Sequence, residues 1–370
     1  MPPESTDRRS SWLTLSLLDG LGPVARRRLL DELDDPTDLL QLDLLTLGQM
    51  GFSTRVQKAV HQYQNGDKAV FSRVEQCLDW LEQPNCHLLT FSASKYPPLL
   101  REITDPPLVL FVRGEPGLLS DPQIAMVGTR HPGPHGPATA RSFAQSFANS
   151  GLVVTSGMAL GIDGACHQGA LDAGGHTIAV WGTGLGHCYP RRHHALAEQI
   201  VEAGGTLVSE QPPQTGPHAG LFPLRNRIIS GLSLGTLVVE ASVNSGSLIT
   251  ARLAMEQNRE VFAMPGSIHN PQARGCHRLL RDGATLVETV TDVLDVLQVP
   301  LRAALTAAPA GSPSVDHPLW RWLGHDPVTA DWLTAQSGLP VSTVLQGLME
   351  LELDGHVQHT PHGYSRIGTG

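Results

Sequence analysis

Between Ile124 and Ala263, six short apolar runs recur, each followed by small or polar residues and then a helix-length stretch. The runs predict strands at Ile124–Val127, Leu152–Thr155, Thr177–Trp181, Thr206–Ser209, Thr236–Glu240 and Glu260–Ala263. Apolar strands alternating with helices predict an α/β fold whose parallel sheet is covered on both faces. The runs end in Gly128-Thr129-Arg130, Ser156-Gly157, Gly182-Thr183-Gly184, Ser209-Glu210, Glu240-Ala241-Ser242 and Met264-Pro265-Gly266. Ligands of open α/β sheets collect at the carboxyl ends of the strands, against helix N-termini, so these ends are the expected site. The glycines at 128, 133 and 136 do not have the spacing of a dinucleotide fingerprint, and no Gly-Lys-Ser/Thr loop occurs. Both absences argue against a standard nucleotide cofactor and against Walker-type ATP hydrolysis.

One stretch carries more chemistry than the rest: Phe222-Pro-Leu-Arg-Asn-Arg-Ile-Ile-Ser-Gly-Leu232. Arg225 and Arg227 flank Asn226, and Ile228, Ile229 and Leu232 would anchor a helix in a core. Guanidinium forks suit phosphate oxygens, and a lone aromatic such as Phe222 offers a stacking face to an unpaired base. A single-stranded nucleic acid or a nucleotide is the ligand this suggests; ion pairs with surface carboxylates are the plain alternative. The net charge of −9 means that any anion site must be local. Lysine occurs only at 58, 68 and 95, so arginines and backbone amides would have to build it.

The flanks differ from the centre. Residues 12–63 predict short helices around the turn Gly20-Leu-Gly22, with Pro23 at the first position of the next helix and Arg26, Arg27 and Arg28 behind it. This is the outline of a helix-hairpin-helix, a motif whose turn amides can hold a phosphate. A helix over 67–83 and strands near His87–Phe91 and 108–112 precede the sheet proper. Ala303–Ser314 is a small-residue stretch typical of linkers. Beyond it, helices at His317–Leu323, Thr329–Ser337 and Val341–Leu353 and a two-stranded wing over Val357–Ile367, its tip at Pro361-His-Gly363, outline a winged helix. Its third helix has no basic residue and carries Glu350 and Glu352, which favours a protein contact or a weak accessory role over groove reading. The division expected is 1–65 helical, 66–300 the sheet domain, 301–314 linker and 315–370 winged helix. Five scattered cysteines, no apolar run of membrane-spanning length and no secretory start predict a reduced, cytoplasmic protein.

With these pieces in place, the centre resembles the DNA processing protein A family (DprA, also called Smf). The resemblance rests on Ala125-Met-Val-Gly-Thr-Arg130, Ser156-Gly-Met-Ala-Leu-Gly-Ile-Asp-Gly-Ala-Cys-His-Gln-Gly-Ala-Leu171, the Phe222–Leu232 stretch, Val239-Glu-Ala-Ser-Val-Asn-Ser-Gly-Ser-Leu-Ile-Thr-Ala251 and Met264-Pro-Gly266, in the family's order over about residues 95–298. It implies an extended Rossmann fold that binds single-stranded DNA without sequence preference. It also implies a homodimer, and loading of the RecA recombinase past single-strand-binding protein in natural transformation, with no enzymatic activity and no cofactor. The family's phosphate-gripping arginine falls on Arg130, beside Thr129, its Ser-Gly turn on Ser156 and Gly157, and its box on Phe222, Arg225, Asn226 and Arg227. Amides at Gly157, Gly184 and Ser247 are the expected additional donors. Charge reversal at Arg225 or Arg227 is expected to abolish binding and leave the fold intact. Two departures stand out: where members often carry a lysine, this chain has Ala219, and where they usually have Gly-x-Asn-x-Leu-Ile it has Gly275-Cys-His-Arg-Leu-Leu280.

The enzyme alternative is a nucleotide-hydrolysing Rossmann protein of the phosphoribohydrolase type, using Asp163, Glu210 or Glu240. Against it, Asp163 is expected to cap a helix over 162–173 and Glu240 to pair with an arginine, and the glycine-pair signature of those hydrolases is absent. The histidines and cysteines lack the ligand spacing of a zinc module, so no metal is expected. A transcription factor acting through the winged helix is a third reading, which the acidic third helix opposes.

Overall fold

The computed structural model describes residues 8–307, 317–323, 327–353, 356–360 and 363–366, in two compact units that divide after Ala308. The first unit is built on a nine-stranded sheet in the order β1-β2-β6-β5-β4-β3-β7-β8-β9. The strands are β1 Cys86–Thr90, β2 Val109–Gly114, β3 Gln123–Val127, β4 Val153–Ser156, β5 Thr177–Val180, β6 Thr206–Ser209, β7 Gly235–Val238, β8 Glu260–Ala263 and β9 Thr285–Leu286. From β6 to β9 every pairing is parallel, as the alternating pattern predicts. Counted from β3, the parallel strands β6-β5-β4-β3-β7-β8-β9 run 4-3-2-1-5-6-7, the order of a dinucleotide-binding sheet with one more parallel strand, β6, inserted beyond β5. The first two strands depart from this: β1 pairs β2, and β2 pairs β6, antiparallel.

Alternation along the strands divides the core into layers, because successive side chains point to opposite faces. In β3, Ile124 and Met126 join the helices Gly136–Asn149 and Ile162–Asp172 on one face. Ala125 and Val127 point to the other face, with the helices Leu221–Leu232 and Ser247–Glu256. Ile228, Ile229 and Leu232 are each 1% exposed, the anchor expected of that stretch. Burying an aliphatic side chain contributes on the order of 1.5–3 kcal/mol, so packing of these three fixes the axis on which Arg225 and Arg227 are carried.

The N-terminal helices do not form a body of their own. Arg8–Leu17, Pro23–Glu32, Thr54–Gln64 and Lys68–Leu81 bury Trp12, Leu13, Leu15, Val56, Val60 and Trp80 in one continuous cluster with Val109 and Phe111 of β2, Ala179 of β5 and Leu207 of β6. Trp80 meets Phe111 edge-on at 5.9 Å. The boundary drawn at residue 65 therefore falls inside a shared core. At the other end, the helix Val290–Ala307 runs through the first seven positions of the expected linker, and 308–314 lie outside the described residues.

In the second unit, Ala330–Ser337 is capped by the Thr329 hydroxyl at the Trp332 amide and ended by Gly338 at φ 68°. Val341–Leu353 follows, and Val357–Thr360 pairs antiparallel with Gly363–Arg366; the expected wing tip at 361–362 lies outside the described residues. Leu319, Leu323, Leu333, Val344, Leu348, Leu351 and Val357 form its core. Where a helix was expected over 317–323, there is a single 3-10 turn, Trp320–Trp322.

Candidate nucleic-acid interface

The chain reverses its direction of travel at β3: β4, β5 and β6 extend the sheet to one side, β7, β8 and β9 to the other. A crevice opens at such a reversal, between loops that diverge. Here it is a cleft of about 700 Å³, walled by 127–131 after β3 and by 242–250 after β7, with 217–226 across the mouth. The expected residues Thr129, Arg130, Phe222, Arg225, Asn226 and Ser247 all line it. His131, Tyr189 and His218 line it too, and the motifs did not single them out. A signal for Tyr189 was present: it is an aromatic in the loop after β5, on the side where strand ends gather.

Arg130 is the exposed cation of the rim. Its guanidinium carbon lies 5.7 Å from the centre of the Phe222 ring, over its face, and it makes no ion pair among the described residues. Arg225 lies deeper, only 7% exposed, donating to the carbonyls of Gly157 and Val180. Gly157 has to be glycine for this, since a Cβ there would sit 2.7 Å from the guanidinium nitrogens. Burial pulls the Arg225 pKa down to about 10, Asp163 opposes the fall, and Arg130 adds to it. Arg225 thus remains charged at neutral pH and supplies positive potential from the floor. Asp163 is its acidic neighbour: burial raises the Asp163 pKa, while Arg225 and the amides of Ala159, Gly157 and Gly128 pull it back only in part. It is not the helix cap expected; Gly161 at φ 82° is, and Asp163 in the first turn reaches back to the Ala159 amide at 3.3 Å.

Arg227 does not belong to the cleft. It is 7% exposed and donates to Glu210 Oε1 at 2.6 Å, to the Asp105 carbonyl at 2.9 Å and to the Leu224 carbonyl at 3.1 Å. Its Nε is also 3.1 Å from Asp105 Oδ2. Arg26 joins the same two carboxylates, at 2.7 Å to Glu210 and 2.9 Å to Asp105. Two arginines and two carboxylates close a compact, nearly dry cluster between the Pro23–Glu32 helix and the Leu221–Leu232 helix. Of the three arginines behind the helix-hairpin-helix turn, Arg26 is in that cluster, Arg27 pairs with Asp31 at the surface, and Arg28 lies 3.8 Å from Glu32 and donates to the Gly51 carbonyl.

The expected backbone donors are engaged within the protein. Gly184 donates its amide to the Thr215 carbonyl at 2.9 Å and lies outside the cleft, where a Cβ would run into the Pro212 carbonyl oxygen. Ser156 is fully buried and donates its hydroxyl to the Met126 carbonyl at 2.6 Å. At the start of the Ser247–Glu256 helix the amides of Ser247, Leu248 and Ile249 turn back to Ser245 and Gly246. What faces the cleft there is the Ser245–Ser247 hydroxyl pair, 2.7 Å apart, with Asn226 bridging from its amide to the Gly246 carbonyl at 3.5 Å. Thr129 accepts the His131 amide at 3.2 Å and shapes the first turn of the rim. Of the three carboxylates considered for hydrolysis, Glu210 is held by two arginines. Glu240, expected beside an arginine, instead accepts the Gly133 amide at 2.8 Å and orders the 131–136 loop. Asp163 lines the cleft, interacting electrostatically with Arg225 and accepting hydrogen bonds from the amides of Ala159, Gly157 and Gly128.

Comparison with known proteins now decides the kinship. The model of the DNA recombination-mediator protein A family matches residues 87–298, and that of the DprA winged helix domain matches 303–363. Protein Smf of Escherichia coli K12 is 42% identical over 334 residues, covering 88% of each chain. The chain belongs to the DprA/Smf family. The DprA structure from Streptococcus pneumoniae superposes with a TM-score of 0.65 at 35% identity, covering 79% of this chain and 98% of that one. DNA processing protein A of Helicobacter pylori, whose structure was described for its single-stranded DNA binding mode, matches with a TM-score of 0.52 at 29% identity, over 58% of this chain and 97% of that one. The second unit is accordingly the winged-helix domain of a DprA protein. Among the described residues no helix is long and apolar enough to cross a membrane.

Proposed function

We propose that the cleft at the β3 reversal binds single-stranded DNA without sequence preference, with no chemistry performed on the strand. The observation that carries this is Arg130: an exposed guanidinium with no carboxylate partner among the described residues, set over an aromatic face at the mouth of a cleft whose floor holds a second cation. In this reading Arg130 meets phosphate, Arg225 adds field from beneath, and Asn226 and the Ser245–Ser247 hydroxyls hydrogen-bond the backbone. An unpaired base enters and a paired one does not, because a stacking ring reaches only a base that has left its partner. Arg227 acts through the position of its helix. The Helicobacter pylori relative, described as binding single strands, supports the assignment, as does the engagement of Glu210 by arginine and of Glu240 by the Gly133 amide, two of the three candidate hydrolytic carboxylates.

Further along the same reading, the protein acts in the cytoplasm as a homodimer that loads RecA onto strands covered by single-strand-binding protein, as the family resemblance implies. Fluorescence anisotropy on matched single- and double-stranded oligonucleotides tests the core of it. Tighter binding of the single strand is expected, with a shallow salt slope of roughly −0.7 per phosphate neutralised. Equal affinity for the duplex refutes the assignment. RecA ATPase turnover on coated strands, with and without the protein, tests the loading step.

A further inference from the structure

The aromatic character of the cleft was expected to rest on Phe222 alone, yet that ring has little face to offer. It packs on Gly182, where a Cβ would come within 2.9 Å of its Cδ1. The Arg130 guanidinium lies over it at 5.7 Å, and Tyr189 approaches with ring centroids 5.3 Å apart and planes 37° from parallel. Aromatic neighbours sit with centroids about 4.5–7 Å apart, so these two rings are in direct contact and hold no slot for a third between them. The ring that remains open is Tyr189, which is 45% exposed and lines the cleft.

We propose that Tyr189 is a base-contacting residue: the nucleobase of a bound single strand stacks on Tyr189, with Phe222 as the buttress behind it and Arg130 on the neighbouring phosphate. This rests on the single-stranded DNA reading above and specifies the ligand group at one ring. Any base presents a π-face, so the contact is tolerant of sequence. It also divides labour between neighbours, with Arg130 serving charge and Tyr189 serving the base.

The test uses the full chain, an oligothymidylate, and a strand of equal length and charge whose residues are all abasic. Stacking on an aromatic residue is worth about 1–3 kcal/mol per base, so Tyr189→Ala should weaken oligothymidylate binding roughly five- to 150-fold. Tyr189→Phe, which keeps the ring, should stay within about twofold of the parent, and Tyr189→Ala and the parent should bind the abasic strand alike. An equal loss on both strands would make Tyr189 a structural or phosphate-side residue and overturn the proposal, as would no loss on oligothymidylate. Arg130→Ala separates this from the reading beneath it. If Arg130→Ala weakens both strands while Tyr189→Ala weakens neither, only the proposal falls. If Arg130→Ala changes neither, the DNA reading falls with it.

Discussion

Arg227→Ala is the substitution on which the sequence pattern and the structure disagree most sharply. The pattern places Arg227 on DNA, whereas the structure places it between Glu210 and Asp105. The side chains of this cluster are 8% exposed for Arg227, 13% for Asp105, 15% for Glu210 and 17% for Arg26, so water screens them little. As built, the four charges cancel. Removing Arg227 leaves two carboxylates on Arg26 alone, and breaking a buried pair from one side costs about 3–5 kcal/mol. Residual exposure favours the lower figure, about 3 kcal/mol, a large share of a typical total of about 5–15 kcal/mol. At roughly 2–4 °C per kcal/mol, the main melting transition should fall by about 6–12 °C. Combining Arg227→Met with Glu210→Gln leaves Arg26 and Asp105 as a neutral pair and should recover about half of that. Burial pushes the Glu210 pKa up, but Arg227 and Arg26 more than reverse this and hold it below its ordinary value. A carboxylate so depressed stabilises the fold fully above its unfolded pKa, about 4.3, and loses that contribution as pH falls through the folded value. The cost of Arg227→Ala should therefore shrink in acid. Scanning calorimetry at neutral and acidic pH, with anisotropy alongside, is the assay. An unchanged melting temperature with abolished DNA binding would refute the structural role and return Arg227 to the interface. Charge reversal at Arg227 is expected to lose the fold along with the binding, contrary to the sequence expectation.

Arg130→Ala should leave the melting temperature within about 1 °C, since the residue is exposed, and reduce the single-strand salt slope by roughly 0.7; a thermal melt checks the first and a salt titration of affinity the second. His167 is fully buried, and burial, with His193 and Arg225 adding to it, lowers its pKa to about 3. Between about 6.5 and that value the unfolded chain binds a proton that the folded chain does not, so stability falls with decreasing pH by about 1.4 kcal/mol per unit. Urea midpoints for His167→Gln across that window should show a flatter profile than the parent. Gly184→Ala should destabilise by about 1–3 kcal/mol, because its Cβ meets the Pro212 carbonyl, and thermal melting reads it directly.

Strand positions were legible because alternation is a local signal: Ile124 and Met126 fall on one face, Ala125 and Val127 on the other, within one run of residues. The cleft was legible for a related reason, since small residues at strand ends mark where ligands approach. The partners of Arg225 and Arg227 were not. Two residues apart on a helix differ by about 200° in direction, so one faces the cleft and the other turns away. Which is which depends on Arg26, Asp105 and Glu210, brought together from distant parts of the chain. The Gly184 amide is similar: its partner, Thr215, belongs to a loop whose path no local pattern dictates. Antiparallel entry of β1 and β2 was hidden as well, because a buried run has the same composition whichever way it points.

The cluster shared by Trp12, Leu15, Val60, Trp80, Phe111, Ala179 and Leu207 has a practical consequence. The matched family domain begins at residue 87, downstream of the N-terminal helices that share the cover of this side of the sheet with the helix His194–Glu202. A fragment cut there would bare a greasy flank on β2, β5 and β6, an invitation to clumping. Shortened versions of this protein should keep their first eighty residues, or replace that cover with another.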